Sequence, residues 1–264
     1  MIEVIDVIIG KDTEPKYCSP GKYELKVGTN IIVKTDKGLQ YGVVSKGNYQ
    51  KKTKEITDVL FKINRIASND DYRKNKKNIS LQQKAYIKCK SLIKKYNLNM
   101  SLIDATYTFD HSLLLFQFVS DERVDFRELA KELASIYKTR IELRQVGVRD
   151  KAKMLGGCGQ CGKELCCRQF LKDFESVSIN NVKNQNLSLN PNKINGVCGR
   201  LLCCLNYEDD CYREYRKTIP PIGKIVKTEQ GKGKVISIDI LKQTYRVDVP
   251  EYGIVECEVD GSNE

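Results

Sequence analysis

Residues 156–167 read Gly-Gly-Cys-Gly-Gln-Cys-Gly-Lys-Glu-Leu-Cys-Cys, and residues 198–208 read Cys-Gly-Arg-Leu-Leu-Cys-Cys-Leu-Asn-Tyr-Glu. Both stretches contain a Cys-Gly dipeptide followed by a Cys-Cys pair, and residues 156–211 hold eight of the eleven cysteines. Clustered thiols in a reducing compartment are typical of metal ligands rather than of disulfides. The two stretches are therefore predicted to form the two halves of a Cys-rich metal-binding insert.

The spacing of these thiols leaves the identity of the metal open. The candidate ligands are Cys158, Cys161, Cys166, Cys167, Cys198, Cys203 and Cys204. A four-cysteine zinc site usually has two C-x2-C pairs, and only the first stretch contains one. Iron–sulfur clusters tolerate more varied spacing, so an iron–sulfur cluster is favoured over zinc. A redox dithiol is a third interpretation, but it would use only Cys158 and Cys161.

The number of thiols also suggests a partner protein. Six or seven thiols are too many for one four-ligand cluster and too few for two. We therefore expect some of them to serve the core, or a partner to complete the coordination. Basic residues near the thiols in the sequence, such as Arg149 and Arg168, would offset the negative charge of a metal–thiolate centre.

Composition indicates a globular protein without an obvious catalytic centre. The 264 residues carry a formal net charge of +11, which favours an acidic or polyanionic partner. The start of the chain lacks a basic segment followed by an apolar run, and no apolar run could span a bilayer, so a cytoplasmic protein is expected. There is one histidine, His111, which we expect to be an exposed turn residue. Phosphate-binding loops, dinucleotide-binding motifs and paired zinc histidines are absent from the sequence, so no enzyme is predicted.

The predicted fold class is α+β, in four parts. Residues 1–50 form a small β-rich element with strands at 2–9, 22–26, 30–34 and 39–44. Residues 51–148 form a ferredoxin-like β-α-β-β-α-β domain, whose first strand is 59–63 and whose first helix, 81–96, is capped by Ser80 with Cys89 in its apolar face. Residues 149–215 are the Cys-rich segment. Residues 216–264 form a second small β-rich element, with strands at 222–226, 233–239, 244–249 and 254–259.

Five strings of residues resemble one known family, the RicT family, also called YaaT. They are the two thiol stretches at 159–167 and 198–208, Gln-Asn-Leu-Ser-Leu-Asn-Pro at 185–191, Val-Asp-Phe-Arg-Glu-Leu at 124–129, and Thr-Arg-Ile-Glu-Leu-Arg-Gln-Val-Gly-Val-Arg-Asp at 139–150. The similarity covers nearly the whole chain and weakens in residues 49–80 and at the C-terminal end. Cys158 departs from the family pattern, where an aliphatic residue is usual.

The resemblance implies a non-catalytic subunit of a ternary complex with two small helical proteins, RicA-like and RicF-like. Such a complex carries [4Fe-4S] clusters and assists ribonuclease Y in maturing messenger RNA, with effects on sporulation, competence and biofilm formation. Ligand roles would carry over to Cys161, Cys166, Cys167, Cys198, Cys203 and Cys204, with further ligands from the partners. The rival interpretation from the residues alone is a zinc-stabilised basic module that binds RNA.

Overall fold

A computed structural model describes residues 1–12, 14–53, 56, 60–171 and 173–259. It divides the chain into two units, Met1–Gly147 and Val148–Glu264. Helices and strands occur in both units, so the predicted α+β class is confirmed. The finer division into four domains stays a prediction. No helix among the described residues is long and apolar enough to cross a membrane.

The first unit begins with a closed five-stranded barrel of order β1-β2-β5-β3-β4. Its strands are β1 (Ile2–Ile9), β2 (Lys16–Ser19), β3 (Asn30–Thr35), β4 (Gly38–Lys51) and β5 (Phe61–Ile66). Alternate apolar residues such as Ile5, Val7, Ile31 and Val33 point inward and are fully buried. The strand predicted at 22–26 is instead a turn and loop, and β2 takes its place beside β1.

The rest of the first unit is a three-stranded sheet packed against two helices. The elements are α1 (Asn69–Lys95), β6 (Ser101–Tyr107), β7 (Leu113–Val119), α2 (Arg127–Tyr137) and β8 (Arg140–Gln145). β6 is antiparallel to β7, and β7 is parallel to β8, as a β-α-β connection through α2 requires. Cys89 lies fully buried in the shared core beside residues such as Phe116 and Leu133, as predicted.

The four-stranded ferredoxin-like arrangement is not observed among the described residues. The strand expected to open that sheet is β5, and it pairs with β2 and β3 in the barrel. Phe61 and Ile63 of β5 pack against the barrel core, which draws the strand away from the second sheet. Val59, the first residue of the predicted strand, lies outside the described residues.

Helix α1 begins a dozen residues before the predicted start. Its N-cap is Ser68, not Ser80, and Ser68 and Asp71 form a capping box in which each side chain accepts a hydrogen bond from the other's backbone. The lysine-rich stretch before Ser80 is therefore helical, with its charges on the exposed face. His111, expected to be exposed, is half-buried, because it stacks on Tyr107 at 4.8 Å and hydrogen-bonds to Asn78 of α1.

The second unit begins with helices and ends with a sheet. Its helices are α3 (Val148–Leu155), α4 (Cys166–Gln169), α5 (Ile179–Asn184), α6 (Pro191–Ile194), α7 (Cys203–Tyr207) and α8 (Asp209–Thr218). An antiparallel sheet of order β12-β11-β10-β9 follows, built from β9 (Ile225–Thr228), β10 (Gly231–Asp239), β11 (Thr244–Val249) and β12 (Gly253–Glu258). Three of the four predicted C-terminal strands match closely, and the first begins later than expected.

Candidate metal centre

Two loops of the second unit carry the clustered cysteines and share one backbone conformation. We call residues 157–170 the first thiol loop and residues 194–207 the second thiol loop. In the first, the Gly159 N–H donates to the Lys163 carbonyl at 2.8 Å and the Leu165 N–H donates to the Gly157 carbonyl at 3.2 Å. In the second, the equivalent bonds run from Gly196 to Arg200 at 2.8 Å and from Leu202 to Ile194 at 2.9 Å. The repeated sequence motif therefore forms the same backbone structure twice.

The backbone angles of the two loops agree as well. Gly162 and Gly199 both have φ +76°, a left-handed conformation that a side chain would strain. Leu165 (φ −55°, ψ 127°) and Leu202 (φ −56°, ψ 130°) have nearly the same angles, and each precedes a short helix. One constant spacing along the chain thus relates residues 158–169 to residues 195–206.

This correspondence pairs the thiols of the two loops. Cys161 matches Cys198, Cys166 matches Cys203, and Cys167 matches Cys204. Cys158 matches Asn195, and these two residues occupy equivalent isolated β-bridges, with Glu164 and Leu201. Cys158 therefore stands outside the repeat. Cys211, which follows the second thiol stretch, lies exposed on α8.

Contacts between the loops place them face to face. The Gln160 side chain donates to the backbone carbonyls of Asn192 and Asn195, at 2.9 and 3.0 Å. Phe170 and Tyr207, which end the two loops at matching positions, meet edge to face with ring centroids 5.1 Å apart. Neither Gln160 nor this aromatic pair was identified from the sequence, although the doubled pattern extends to Phe170 and Tyr207.

The thiols of the two loops share one electrostatic neighbourhood. Burial, followed by the nearby thiols of Cys203, Cys198 and Cys166, raises the pKa of Cys167. Burial, followed by the Cys166 thiol, raises the pKa of Cys204 to about 11. These thiols are therefore protonated at neutral pH in the free protein. A metal that binds them as thiolates must release protons, so its affinity will rise with pH.

Arg149 provides a positive charge at this neighbourhood. Burial raises the pKa of Cys203, and the Arg149 guanidinium opposes that increase. The same guanidinium lies 4.8 Å from the centre of the Phe174 ring. Its Nε is buried and has no hydrogen-bond partner among the described residues. A buried donor without an acceptor beside several thiols suits an anionic group such as a thiolate or a metal–sulfur cluster.

The donor chemistry thus fits a thiolate-bound metal, but the ligands do not converge. Within residues 1–12, 14–53, 56, 60–171 and 173–259, no three Cys, His, Asp or Glu side chains form a group that could hold a metal ion. Cys161 is exposed, Cys166, Cys198, Cys203 and Cys204 are half-buried, and Cys167 is buried. The loops hold the right atoms in one region without a closed coordination shell.

Polar side chains fix the second thiol loop to the helices around it. The Gln185 side chain donates to the Leu205 carbonyl at 2.7 Å, and Asn184 donates to the buried carboxylate of Asp209 at 2.9 Å. Asp209 also pairs with Arg213 at 2.7 Å. These bonds satisfy polar groups in a region with a small apolar core of Val182, Ile194 and Leu205. The second loop therefore has firm support from α5 and α8.

Comparison with known proteins assigns the chain to a family. The PSP1 C-terminal conserved region matches residues 61–146, and the third domain of PSP1-like proteins matches residues 176–219. Protein PSP1 of Saccharomyces cerevisiae is 27% identical over 145 residues, which are 53% of this chain and 17% of that protein. No solved structure matches. Stage 0 sporulation protein YaaT of Bacillus subtilis (strain 168) is 44% identical over 249 residues, covering 94% of this chain and 90% of that protein, and the chain therefore belongs to the YaaT family.

Proposed function

We propose that this protein is a non-catalytic, cytoplasmic iron–sulfur subunit of a ternary regulatory complex. Its partners would be RicA-like and RicF-like helical proteins, and the complex would assist ribonuclease Y in maturing messenger RNA. A role in sporulation is supported by the name of the Bacillus subtilis relative. Effects on competence and biofilm formation follow from the family resemblance alone.

The observation that carries this proposal is the pair of matching thiol loops. Each loop presents three thiols at equivalent positions, and the Cys203 thiol of the second loop helps to raise the pKa of Cys167 in the first, which supports a site shared by both loops. A [4Fe-4S] cluster, when bound, would supply strong bonds between iron and the thiolates of both loops. Arg149 would donate its free Nε–H to this anionic group and lower the cost of gathering negative charge.

Because the ligands do not converge within the described residues, a complete metal site requires a further structural change or further ligands. Either the loops close when the metal binds, or a partner supplies the missing ligands. In both cases the metal would hold the protein and its partners together. Its loss would weaken the assembly, because metal binding is coupled to the folding of the ligand loops. Glycines in both loops leave the backbone free to make such an adjustment.

A zinc-stabilised, RNA-binding module is the alternative. Thiol chemistry suits zinc as well, and the net charge of +11 suits a polyanion. Tyr41 and Tyr49 of β4 are two candidates for stacking on bases in the N-terminal strands. Tyr41 is buried, and the Lys46 Nζ covers the Tyr49 ring at 3.9 Å, so neither ring is free to stack on a base. The alternative therefore lacks an aromatic platform at these positions.

Anaerobic purification followed by an absorbance spectrum and metal analysis tests the proposal. We expect a brown protein, alone or co-expressed with RicA-like and RicF-like partners, with iron and sulfide in equal amounts. Zinc in a colourless protein would favour the alternative. Metal-free protein, both alone and in the assembled complex, would reject both interpretations.

Cysteine variants test whether the metal holds the protein and its partners together. Cys161→Ser and Cys203→Ser should each lower metal content and partner binding together, because a hydroxyl is a poor ligand for iron. Cys211→Ser is the matched control, since it changes an exposed cysteine outside both loops and should leave metal and partners unchanged. Partner binding that survives complete loss of the metal would contradict this role of the metal.

A further inference from the structure

Helix α1 carries an unusual concentration of positive charge. Nine of its residues are lysine or arginine, all of them exposed, and its two carboxylates both lie in the first turn. From Arg73 to Lys95 the helix contains no acidic residue. The opposite face is buried against the sheet of β6, β7 and β8 through residues such as Ala85, Cys89 and Leu92. The charged face is therefore firmly held and faces solvent.

Five of these basic residues form a single row. Arg73, Lys77, Lys84, Lys88 and Lys95 follow one another at intervals of four and seven residues, which places them on one line along the helix. At a rise of about 1.5 Å per residue, the row is about 33 Å long. We call these five residues the α1 basic stripe.

The stripe works against the local stability of the helix. Arg73 and Lys77 are like charges four residues apart, as are Lys84 and Lys88, and such pairs destabilise a helix. A sequence that served only the fold would place carboxylates among these positions. The stability of the helix therefore does not explain why this face carries only positive charge.

Much of the stripe is free of ion pairs. Arg73 contacts Asp70 at 3.4 Å and Lys95 contacts Glu132 at 3.0 Å. Lys77, Lys84 and Lys88 have no carboxylate within 4.0 Å in the part of the chain that the structure describes, although the Lys88 charge helps to lower the pKa of Glu132. Beside the stripe, burial lowers the pKa of His111, and the charges of Lys74 and Lys77 add to this effect against the opposing charge of Asp110.

The chemistry of the stripe suits a phosphate backbone better than a protein. Protein interfaces depend on a few buried aromatic or arginine anchors, whereas four of the five residues in the row are lysines and none is aromatic. A linear array of flexible ammonium groups matches a linear array of phosphates, which give affinity without reading sequence. Ile79 and Ile87 are exposed outside the row, so an acidic protein segment is the rival occupant.

We propose that the α1 basic stripe binds single-stranded RNA through its phosphates, so that the protein holds the transcript as well as its partners. The choice of RNA rests on the proposed function. The binding surface itself belongs to the first unit and does not use the thiol loops. Because the contacts are to phosphates, oligouridine and oligoadenosine should bind alike.

Fluorescence anisotropy with a labelled oligouridine tests this proposal on the full-length protein. The variant Lys77→Gln/Lys84→Gln/Lys88→Gln removes the three unpaired charges. Loss of three phosphate contacts should lower the slope of log affinity against log salt by about 2 and weaken binding at least about tenfold at moderate salt. Lys26→Gln/Lys34→Gln/Lys227→Gln changes the net charge equally at exposed positions elsewhere and should have a much smaller effect.

Equal affinities of the two triple variants would overturn the proposal, and so would an absence of RNA binding by the wild type at low salt. Binding of a polyglutamate peptide in place of RNA would assign the stripe to an acidic protein. Helix content by circular dichroism should be unchanged in the stripe variant. Its iron content and partner assembly should also equal those of the wild type, which separates this test from that of the metal centre.

Discussion

Asp71 contributes in two ways to the start of α1. Its carboxylate accepts hydrogen bonds from the Ser68 N–H at 2.8 Å and from Arg65, whose Nη2 lies 2.9 Å from Oδ1. The Arg65 guanidinium holds the pKa of Asp71 well below its usual range, and the Ser68 hydrogen bonds add to this against the opposing effect of burial. One residue thus caps the helix and links it to β5.

We therefore predict that Asp71→Asn destabilises the first unit by roughly 2 kcal/mol through loss of the cap and the ion pair. Because the folded pKa lies below the unfolded one, the contribution of the carboxylate is complete above about pH 5 and is lost progressively as the pH falls further. Wild-type stability should thus fall below about pH 4 more steeply than that of the variant. Urea denaturation at several pH values measures both effects, and parallel curves would contradict this account.

Single residues also show what the sequence could and could not predict. Cys89 was assigned to the core from helical spacing, because its neighbours at three- and four-residue intervals are apolar. Ser68 and Ser80 are equally good caps by residue type, and the choice depends on Asp71 and Arg65, which meet only in the folded chain. The repeat of the thiols was visible in the sequence, whereas the bridge made by Gln160 depends on how the two loops pack.

At the scale of elements, the thiol loops depend on one left-handed glycine each. No heavy atom lies within 4 Å of a Cβ built on Gly162 or Gly199, so a substitution there is opposed by backbone strain and not by a clash. Since the two residues have the same φ of +76°, the same change should have the same effect in either loop.

Gly199→Ala should destabilise the second loop by about 1 kcal/mol, and Gly199→Val by more, since β-branched residues disfavour this conformation. Gly199→Asn should be milder than either, because asparagine adopts left-handed angles more readily. Hydrogen exchange of the Leu202 amide, which is bonded to the Ile194 carbonyl, reports on the loop. Equal protection in the alanine and asparagine variants would show that φ does not limit the loop.

Strand β5 shows what a sequence pattern alone cannot predict. Alternating apolar residues at 61 and 63 predicted a strand correctly. The pattern did not reveal whether that strand pairs with β3 of the barrel or with the sheet that follows, because both partners offer an apolar face. The parallel pairing of β7 with β8 is compatible with a three-stranded or a four-stranded sheet. Only the pairing of β5 with β3 of the barrel rules out the ferredoxin-like topology.

At the scale of the whole molecule, each unit has its own apolar core. Leu133 is fully buried in the core formed by α1, α2 and the sheet of the first unit, whereas Val182, Ile194 and Leu205 form a separate core under the thiol loops. A defect in one core should therefore affect mainly its own unit.

Leu133→Ala should cost the first unit about 3 kcal/mol through the cavity it leaves. Hydrogen exchange should accelerate in α1, α2 and β6–β8 and remain unchanged in residues 194–207. Val182→Ala is the reciprocal variant and should show the opposite pattern. Uniform acceleration over the whole chain in either variant would show that the two units unfold as one.

The unpaired Nε–H of Arg149 has a thermodynamic consequence. A buried donor without an acceptor makes the ligand-free fold less stable, and any bound anion that accepts its hydrogen bond removes this penalty only in the folded state. By mass action, the melting temperature of the second unit should then depend on the concentration of that ligand. If that anion is the proposed iron–sulfur cluster, the same coupling would shorten the lifetime of the protein in a cell short of iron, so that its abundance would follow the iron supply.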